Sequence, residues 1–327
     1  MKRLMCATIA LWIAGPGMAL AQPATGAAAY PNKPIRLVVP SAPGGGTDII
    51  ARLIGQGLTD AWDKTVVVDN RGGGGGTVGV TIVAKAQPDG YTMLLGSVGH
   101  LTFAPVVRSG LPYDAQQDLA PITLAANQPF LLAVVPSLPV KSVADLIALA
   151  KRRPGELKYG SGGAGTASHL GIALLELQTG ISMLHVPYRG SNPALTAMMG
   201  GELQLVIAGL ATVLPHMKSG RVKGLAVTGS KRAQIAPDVP TVAEAGAKGY
   251  AFDVWYGLVF TGGTPRAIVQ KANAVIVKML KSPGMNKLFL TQGVEPLTST
   301  PQEFVARIDR EIANWRKVVK AANIKLQ

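Results

Sequence analysis

Three glycine-rich stretches each read as the turn between a strand and a helix. They are Pro40-Ser41-Ala42-Pro43-Gly44-Gly45-Gly46-Thr47-Asp48, Asn70-Arg71-Gly72-Gly73-Gly74-Gly75-Gly76-Thr77 and Tyr159-Gly160-Ser161-Gly162-Gly163-Ala164-Gly165-Thr166-Ala167-Ser168-His169. Such a corner has a definite chemistry. The first N–H groups of a helix lack intrahelical partners and carry the positive end of its dipole. Glycine lets a ligand approach that backbone closely. The hydroxyls of Ser41, Thr47, Ser161, Thr166 and Ser168 add donors. A carboxylate suits this setting. At about 1.5–3 kcal/mol for each hydrogen bond to a charged group, two corners together reach the ~8 kcal/mol of a micromolar complex, less ordering and desolvation costs. The middle stretch is the one expected to serve only as a connection.

Competing chemistries find less support. Gly74-Gly75-Gly76-Thr77-Val78-Gly79 satisfies a dinucleotide fingerprint, but the next strand closes on Leu95-Gly96-Ser97 without the required acid. No Gly-Lys-Ser/Thr follows any of the loops, and no G-x-S-x-G elbow is present. His100, His169, His185 and His216 lack metal-ligand spacing. Cys6 is the single cysteine, which excludes an internal disulfide. Neither an enzyme, nor a metal site, nor a cofactor is expected. Asp48 reads as a helix-terminus carboxylate. His169, in a first helical turn, either touches the ligand or orders its loop. Trp255-Tyr256 lies in an apolar strand and is either a pocket wall or core and hinge.

The elements that must position these residues alternate. Strands are expected at 35–39, 65–68, 91–95 and 130–135, and helices at 48–62 and 78–85. Ser142-Val143-Ala144-Asp145, Thr241-Val242-Ala243-Glu244 and Thr300-Pro301-Gln302-Glu303 fit capping boxes. Asn192-Pro193 reads as an N-cap with proline at the first helical position. A long helix from Thr264-Pro265 is expected to stop near Pro283-Gly284. The last helix carries an apolar stripe of Phe304, Ile308, Ile312, Trp315 and Val319. Alternation of this kind predicts an α/β protein with parallel sheets and crossover helices.

The chain is 327 residues long, 48% apolar and 15% charged, which suits two packed lobes. Lys2 and Arg3, an apolar run and Ala19-Leu20-Ala21 read as a signal peptide over residues 1–21, cleaved after about Ala21 and followed by a flexible leader over 22–30. The formal net charge of +14 is spread along the chain, with few aromatics among the basic residues. It reads as a field that attracts small anions, not as a nucleic-acid surface.

The sequence resembles the solute receptors of tripartite tricarboxylate transporters, the Bug receptors. The resemblance rests on Tyr30-Pro31-Asn32-Lys33-Pro34-Ile35, Gly44-Gly45-Gly46-Thr47-Asp48, Pro88-Asp89-Gly90-Tyr91-Thr92, His185-Val186-Pro187-Tyr188-Arg189-Gly190, Val239-Pro240-Thr241-Val242-Ala243-Glu244-Ala245-Gly246 and the Trp315-Arg316-Lys317-Val318-Val319-Lys320 ending. It implies a type II periplasmic-binding-protein fold, two lobes each with a mainly parallel sheet and flanking helices, and a ligand cleft between them. Lobe 1 is then residues 31–130 and 255–327, and lobe 2 residues 131–254. It also implies a periplasmic monomer that takes a small organic acid anion, a dicarboxylate, tricarboxylate, acidic amino acid or aromatic acid, to membrane permease subunits. A ligand-sensing subunit for signalling and a secreted hydrolase are the alternatives. The family's grip maps onto Ser41, Ala42, Gly44, Gly45, Thr47 and Asp48, with Ser97 on the same side. Across the cleft it maps onto Ser161, Gly163, Thr166, Ser168 and His169, with Trp255 and Tyr256 as candidate wall. Three places depart from the family: glycine for a common proline in the Asn70–Thr77 stretch, Ala104-Pro105 for Asn-Pro, and Ala208-Gly209 where an Asp or Asn is common. The last of these implies a less polar cleft and a less polar or aromatic acid.

Overall fold

The computed structural model describes residues 30–321 except Gly45, Ala164, Gly165 and Arg189. The expected signal peptide and leader lie outside the described residues. Two sheets organise the chain. The first contains β1 (Ile35–Val39), β2 (Val66–Asn70), β3 (Thr92–Ser97), β4 (Leu119–Gln128), β10 (Val254–Thr261) and β11 (Glu295–Pro296), in the order β11-β4-β10-β3-β1-β2. The second contains β5 (Phe130–Val134), β6 (Lys158–Ser161), β7 (Leu184–Pro187), β8 (Leu205–Gly209) and β9 (Lys223–Val227), in the order β7-β6-β8-β5-β9.

Each sheet is mixed. The β1-β2, β1-β3, β6-β7 and β6-β8 pairs are parallel, as crossover helices require. The strands that carry the chain between the sheets break that rule. β10 runs antiparallel to β3 and β4, and β5 antiparallel to β8 and β9. A strand arriving from the other sheet enters from the opposite end, so its direction is reversed. The first crossing passes from β4 to β5 through Pro129. The return is tied to it, since Thr228 N–H donates to Phe130 O and Phe252 N–H to Thr228 O.

Helices α1 (Gly46–Trp62), α2 (Thr77–Ala84), α3 (Ala104–Val107), α4 (Val143–Arg152), α5 (Ala167–Thr179), α6 (Ser191–Met199), α7 (Leu210–Lys218), α8 (Arg266–Leu280), α9 (Pro283–Thr291) and α10 (Pro301–Ala321) cover the sheets. The α10 stripe is buried as its spacing predicts: Phe304, Ile308, Ile312, Trp315 and Val319 are all 8% exposed or less. Each such burial stabilises by roughly 1.5–3 kcal/mol. The capping boxes at Ser142 and Thr300 close as expected.

Three expectations change. The Thr241 box forms, with Thr241 N–H on Glu244 and Glu244 N–H on Thr241 Oγ1, but closes only a turn. Its backbone is committed elsewhere, Val242 N–H to Val227 O and Ala245 O to Ala144 N–H. Gly190, not Asn192, caps α6, which leaves Pro193 inside the first turn where its missing N–H costs nothing. Pro283-Gly284 begins α9 where a stop was expected, because Ser282 Oγ accepts from Met285 N–H and proline sits at the first helical position.

Candidate functional site

The first and third glycine corners face a shared cavity of about 300 Å³ between the two sheets. Thr47, in the first turn of α1, and Thr166 and Ala167, at the start of α5, both line it. Two helix N-termini from different sheets therefore address one space.

The α1 corner is braced from behind. Asp48 is only 3% exposed. Its Oδ2 accepts from Gly44 N–H and from Arg52 Nε, each at 2.9 Å. Burial alone would raise its pKa. The bonds from Arg52 and Gly44, the nearby Asn70 amide and the Arg52 charge outweigh burial and hold it below the usual range. Asn70 Nδ2 also ties down Ser41 O at 3.3 Å. Ser41 Oγ and Asp48 Oδ1 are buried without a hydrogen-bond partner among the described residues, which is uncommon for buried polar atoms.

The α5 corner is held by its own hydroxyls. Thr166 Oγ1 donates to Gly163 O at 2.8 Å, and Gly162 N–H donates to Ser168 Oγ at 2.9 Å. Ser161 Oγ lies 2.6 Å from His185 Nε2. That contact resembles a nucleophile and its base, yet Ser161 is 0% exposed and its oxygen also engages Gly163. It braces the loop. His169 stacks on His185 at a centroid distance of 4.2 Å, and Tyr159 stacks on His185 at 4.9 Å.

The middle glycine run does more than connect. Gly75 lines the cavity. Gly75 and Gly76 have φ values of 61° and 93°, and a Cβ on either would overlap the Arg108 guanidinium or the His100 ring, respectively. The run is bare so that those two side chains can lie against it. Arg108 Nη1 donates to Gly74 O and to Thr77 Oγ1. His100 Nδ1 faces Ser97 N–H at 3.3 Å and Ser97 Oγ at 3.0 Å. An amide can only donate, so Nδ1 accepts and the proton sits on Nε2. A π-helical turn over Gly99–Phe103 runs into α3 and delivers His100, Phe103, Val107 and Arg108 to the same wall.

Of the residues expected from sequence, Thr47, Ser97, Thr166, His169 and Tyr256 line the cavity. Ser41, Ala42, Gly44, Asp48, Ser161, Gly163 and Ser168 build the corners without lining it, and Gly45 is outside the described residues. Trp255 belongs to the core. Successive residues of a strand face opposite ways, so while Val254 and Tyr256 look into the cavity, Trp255 is 0% exposed and meets Phe304 edge-on at 5.4 Å. Its indole N–H lies 2.9 and 3.0 Å from the two Glu311 oxygens. Tyr256 donates its hydroxyl to Gln128 Oε1 at 2.9 Å, where the chain crosses between sheets. Burial pushes its pKa up, against a weaker downward pull from Thr47.

The reasoning from sequence missed His100, Phe103, Val107, Arg108, Phe130 and Val254. The Ala104-Pro105 departure was the available signal, for Ala104 contributes an apolar patch to the cavity. Neither Ala208 nor Gly209 lines it. Ala208 pairs with Leu131 inside the sheet, and a Cβ on Gly209 would come within 3.1 Å of the Gln128 amide. The departure there alters the crossing point and not the cavity wall.

The electrostatics are one-sided. Among the described residues the lining contains Arg108 and no Asp or Glu. Burial, then the Arg108 charge, pushes His100 down to about 4. Burial, then His185, does the same to His169, also to about 4. Both rings are neutral at neutral pH and Arg108 supplies the full charge. The arrangement suits an anion with an apolar body, met by helix amides, hydroxyls and one guanidinium.

Known proteins resemble this chain over most of its length. The family model described as tripartite tricarboxylate transporter family receptor matches residues 50–324. BugT of Bordetella pertussis is 35% identical, over all of this chain and 99% of its own length. A solved protein of R. palustris with adipate is 38% identical at a TM-score of 0.80, covering 90% of this chain and 99% of that one. MatC from Rhodopseudomonas palustris with bound malate is 30% identical at a TM-score of 0.75, covering 89% of this chain and 100% of its own. The chain belongs to the family of tripartite tricarboxylate transporter receptors, periplasmic solute-binding proteins of the Bug type.

Proposed function

We propose that this protein captures a small organic carboxylate in the periplasm and presents it, chemically unchanged, to the permease of a tripartite transporter. One observation carries the reading. The first turns of α1 and α5, from two different sheets, open on one cavity whose described lining holds a cation and no acid. Solved relatives with adipate and malate support a carboxylate ligand. The basic, apolar and Ala19-Leu20-Ala21 leader supports export.

The parts that move are residues 31–130 with 255–327, against 131–254. Closure bends the crossings at Pro129 and at 228–253, and a ligand touching both corners favours the closed state by its extra contacts there. Val98, Phe103, Ala104 and Val107 make part of the wall apolar, which favours acids with a hydrocarbon or aromatic body over densely hydroxylated ones. Full burial of Ser161 argues against hydrolysis at its contact with His185. The test is a calorimetric and thermal-shift screen of mono-, di- and tricarboxylates against amino acids, sugars and cations. A carboxylate binder with no turnover is expected. Binding confined to a non-acid class, or conversion of the bound acid, refutes the proposal.

A further inference from the structure

We infer that Gly293, in the turn from α9 to β11, is a positioning residue that fixes the angle between the two lobes and, through it, the affinity of the cleft. The inference rests on the receptor reading above, with its two moving parts. It goes further by naming a residue that sets their relation from outside the ligand's reach. Neither Gly293 nor its neighbours Ala211 and Ile235 line the cavity.

The turn is first of all a helix stop. Gly293 N–H donates to Leu290 O and Val294 N–H to Phe289 O, the paired bonds of a Schellman cap, and φ at Gly293 is 68°. Gly220 closes α7 in the same way: its N–H donates to Met217 O, Arg221 N–H donates to His216 O, and its φ is 72°. The two caps differ in their surroundings. A Cβ on Gly220 would meet open space. A Cβ on Gly293 would overlap the Ala211 methyl at the start of α7 and lie 3.2 Å from Ala211 Cα and 3.5 Å from Ile235 Cδ1. Gly293 belongs to the part made of residues 31–130 and 255–327, whereas Ala211 and Ile235 belong to 131–254. The cap accounts for glycine at both stops. At Gly293 the missing Cβ also lets the two parts touch.

The contact sits where it has leverage. β11 pairs with the end of β4, Glu295 opposite Asn127. α7 begins where Leu210 N–H donates to Pro129 O. The two segments therefore flank the first crossing, one from each lobe. Glu295 Oε1 also accepts Gln234 N–H at 2.6 Å, a second tie between the same parts. A wedge between Gly293 and Ala211 turns one lobe against the other about Pro129. The first turns of α1 and α5 ride on different lobes, so such a turn spoils their alignment on one ligand. Packed surfaces yield little to an added methyl. A protein displaced from its binding-competent arrangement binds more weakly in proportion to the population lost.

The experiment reads lobe geometry and affinity separately. Cys6, in the expected signal peptide, is the single cysteine, so the exported protein accepts nitroxide labels at K85C and K151C, exposed positions on the two lobes. Double electron–electron resonance then gives the distance between lobes. Calorimetry on unlabelled protein uses adipate and malate, the acids in two solved relatives. The variants are G293A, G220A and G293A/A211G. G293A is expected to shift the distance distribution of the ligand-free protein and to weaken acid binding by about tenfold. G220A carries the same backbone strain without a wedge, and is expected to keep the wild-type distance and an affinity within about threefold. G293A/A211G gives the added methyl room and is expected to regain both. A G293A distance distribution that superimposes on wild type overturns the inference. So does a shift that G220A reproduces, one that A211G leaves uncorrected, or a shifted distance with unchanged affinity. Wild-type protein that binds neither acid counts against the receptor reading, a separate result, and the distance measurement still decides whether Gly293 sets the lobe angle.

Discussion

Replacing Asp48 by Asn separates a brace from a ligand contact. The carboxylate of Asp48 accepts Gly44 N–H at 2.9 Å while almost fully buried, a bond to a charged group worth about 1.5–3 kcal/mol. The pair with Arg52 adds less. Arg52 is 58% exposed, so screening leaves about 0.3–0.5 kcal/mol for this i,i+4 contact. A negative charge in the first turn of α1 contributes a further ~0.3–1 kcal/mol. Asparagine keeps one acceptor and avoids the cost of burying a charge, so D48N is expected to lose about 1–2 kcal/mol net. At roughly 2–4 °C for each kcal/mol in a chain of this order of size, that is about 2–8 °C in Tm. Chemical denaturation of wild type and variant across pH reads the effect. The folded pKa of Asp48 lies below its unfolded value, so its stabilisation is complete above the unfolded pKa of about 3.9 and is lost as pH falls through the folded value. The difference between the two proteins should be flat at neutral pH and shrink only below about pH 4. A variant as stable as wild type at neutral pH, or a gap that begins to close near pH 6, refutes the bracing role.

Other outcomes follow from the same geometry. G75A places a Cβ against the Arg108 guanidinium at a residue with φ of 61°; it should cost about 1–2 kcal/mol of stability and displace Arg108, read as a lower Tm with weakened ligand affinity. W255F removes the indole donor to Glu311 and should lower stability by about 1–2 kcal/mol while leaving affinity within about threefold, whereas Y256F, on the neighbouring face, should weaken ligand binding; the reverse pattern in calorimetry contradicts the assignment of the two faces. His100 and His169 both titrate near 4 in the fold, below their unfolded value of about 6.5, so their contribution is fully present above about pH 6.5 and is lost as pH falls toward 4. H100N should therefore flatten part of the acid limb of the stability profile measured by denaturation.

The legible parts of this protein were those in which one local pattern admits one outcome. The α10 stripe from Phe304 to Val319 has a helical period that no strand can satisfy, and Ser142 with Asp145 closes a box that needs no distant partner. The glycine corners were legible because backbone chemistry at a strand-to-helix turn is the same wherever it occurs. Residues with two local solutions were not. Pro283 can stop a helix or start one, and Ser282 decides which. Trp255 and Tyr256 are adjacent aromatics in a strand that is buried throughout, so apolarity carries no facing information; α10, packed on one side through Phe304 and Glu311, settles it. Arg108 and His100 belong to no motif. They reach the cavity only because a π-helical turn and a bare glycine run meet there, a coincidence of segments about thirty residues apart in the chain.

The most direct measurement is a crystal structure with the best-binding carboxylate from the acid screen. One carboxylate is expected between Thr47 on α1 and Thr166 and Ala167 on α5, with the lobes drawn together around it. An acid seated instead in the separate hollow of about 560 Å³ bordered by Arg307, Arg310 and Lys317, or one that touches a single corner and leaves the other facing solvent, would contradict the claim that the two helix starts form one anion site.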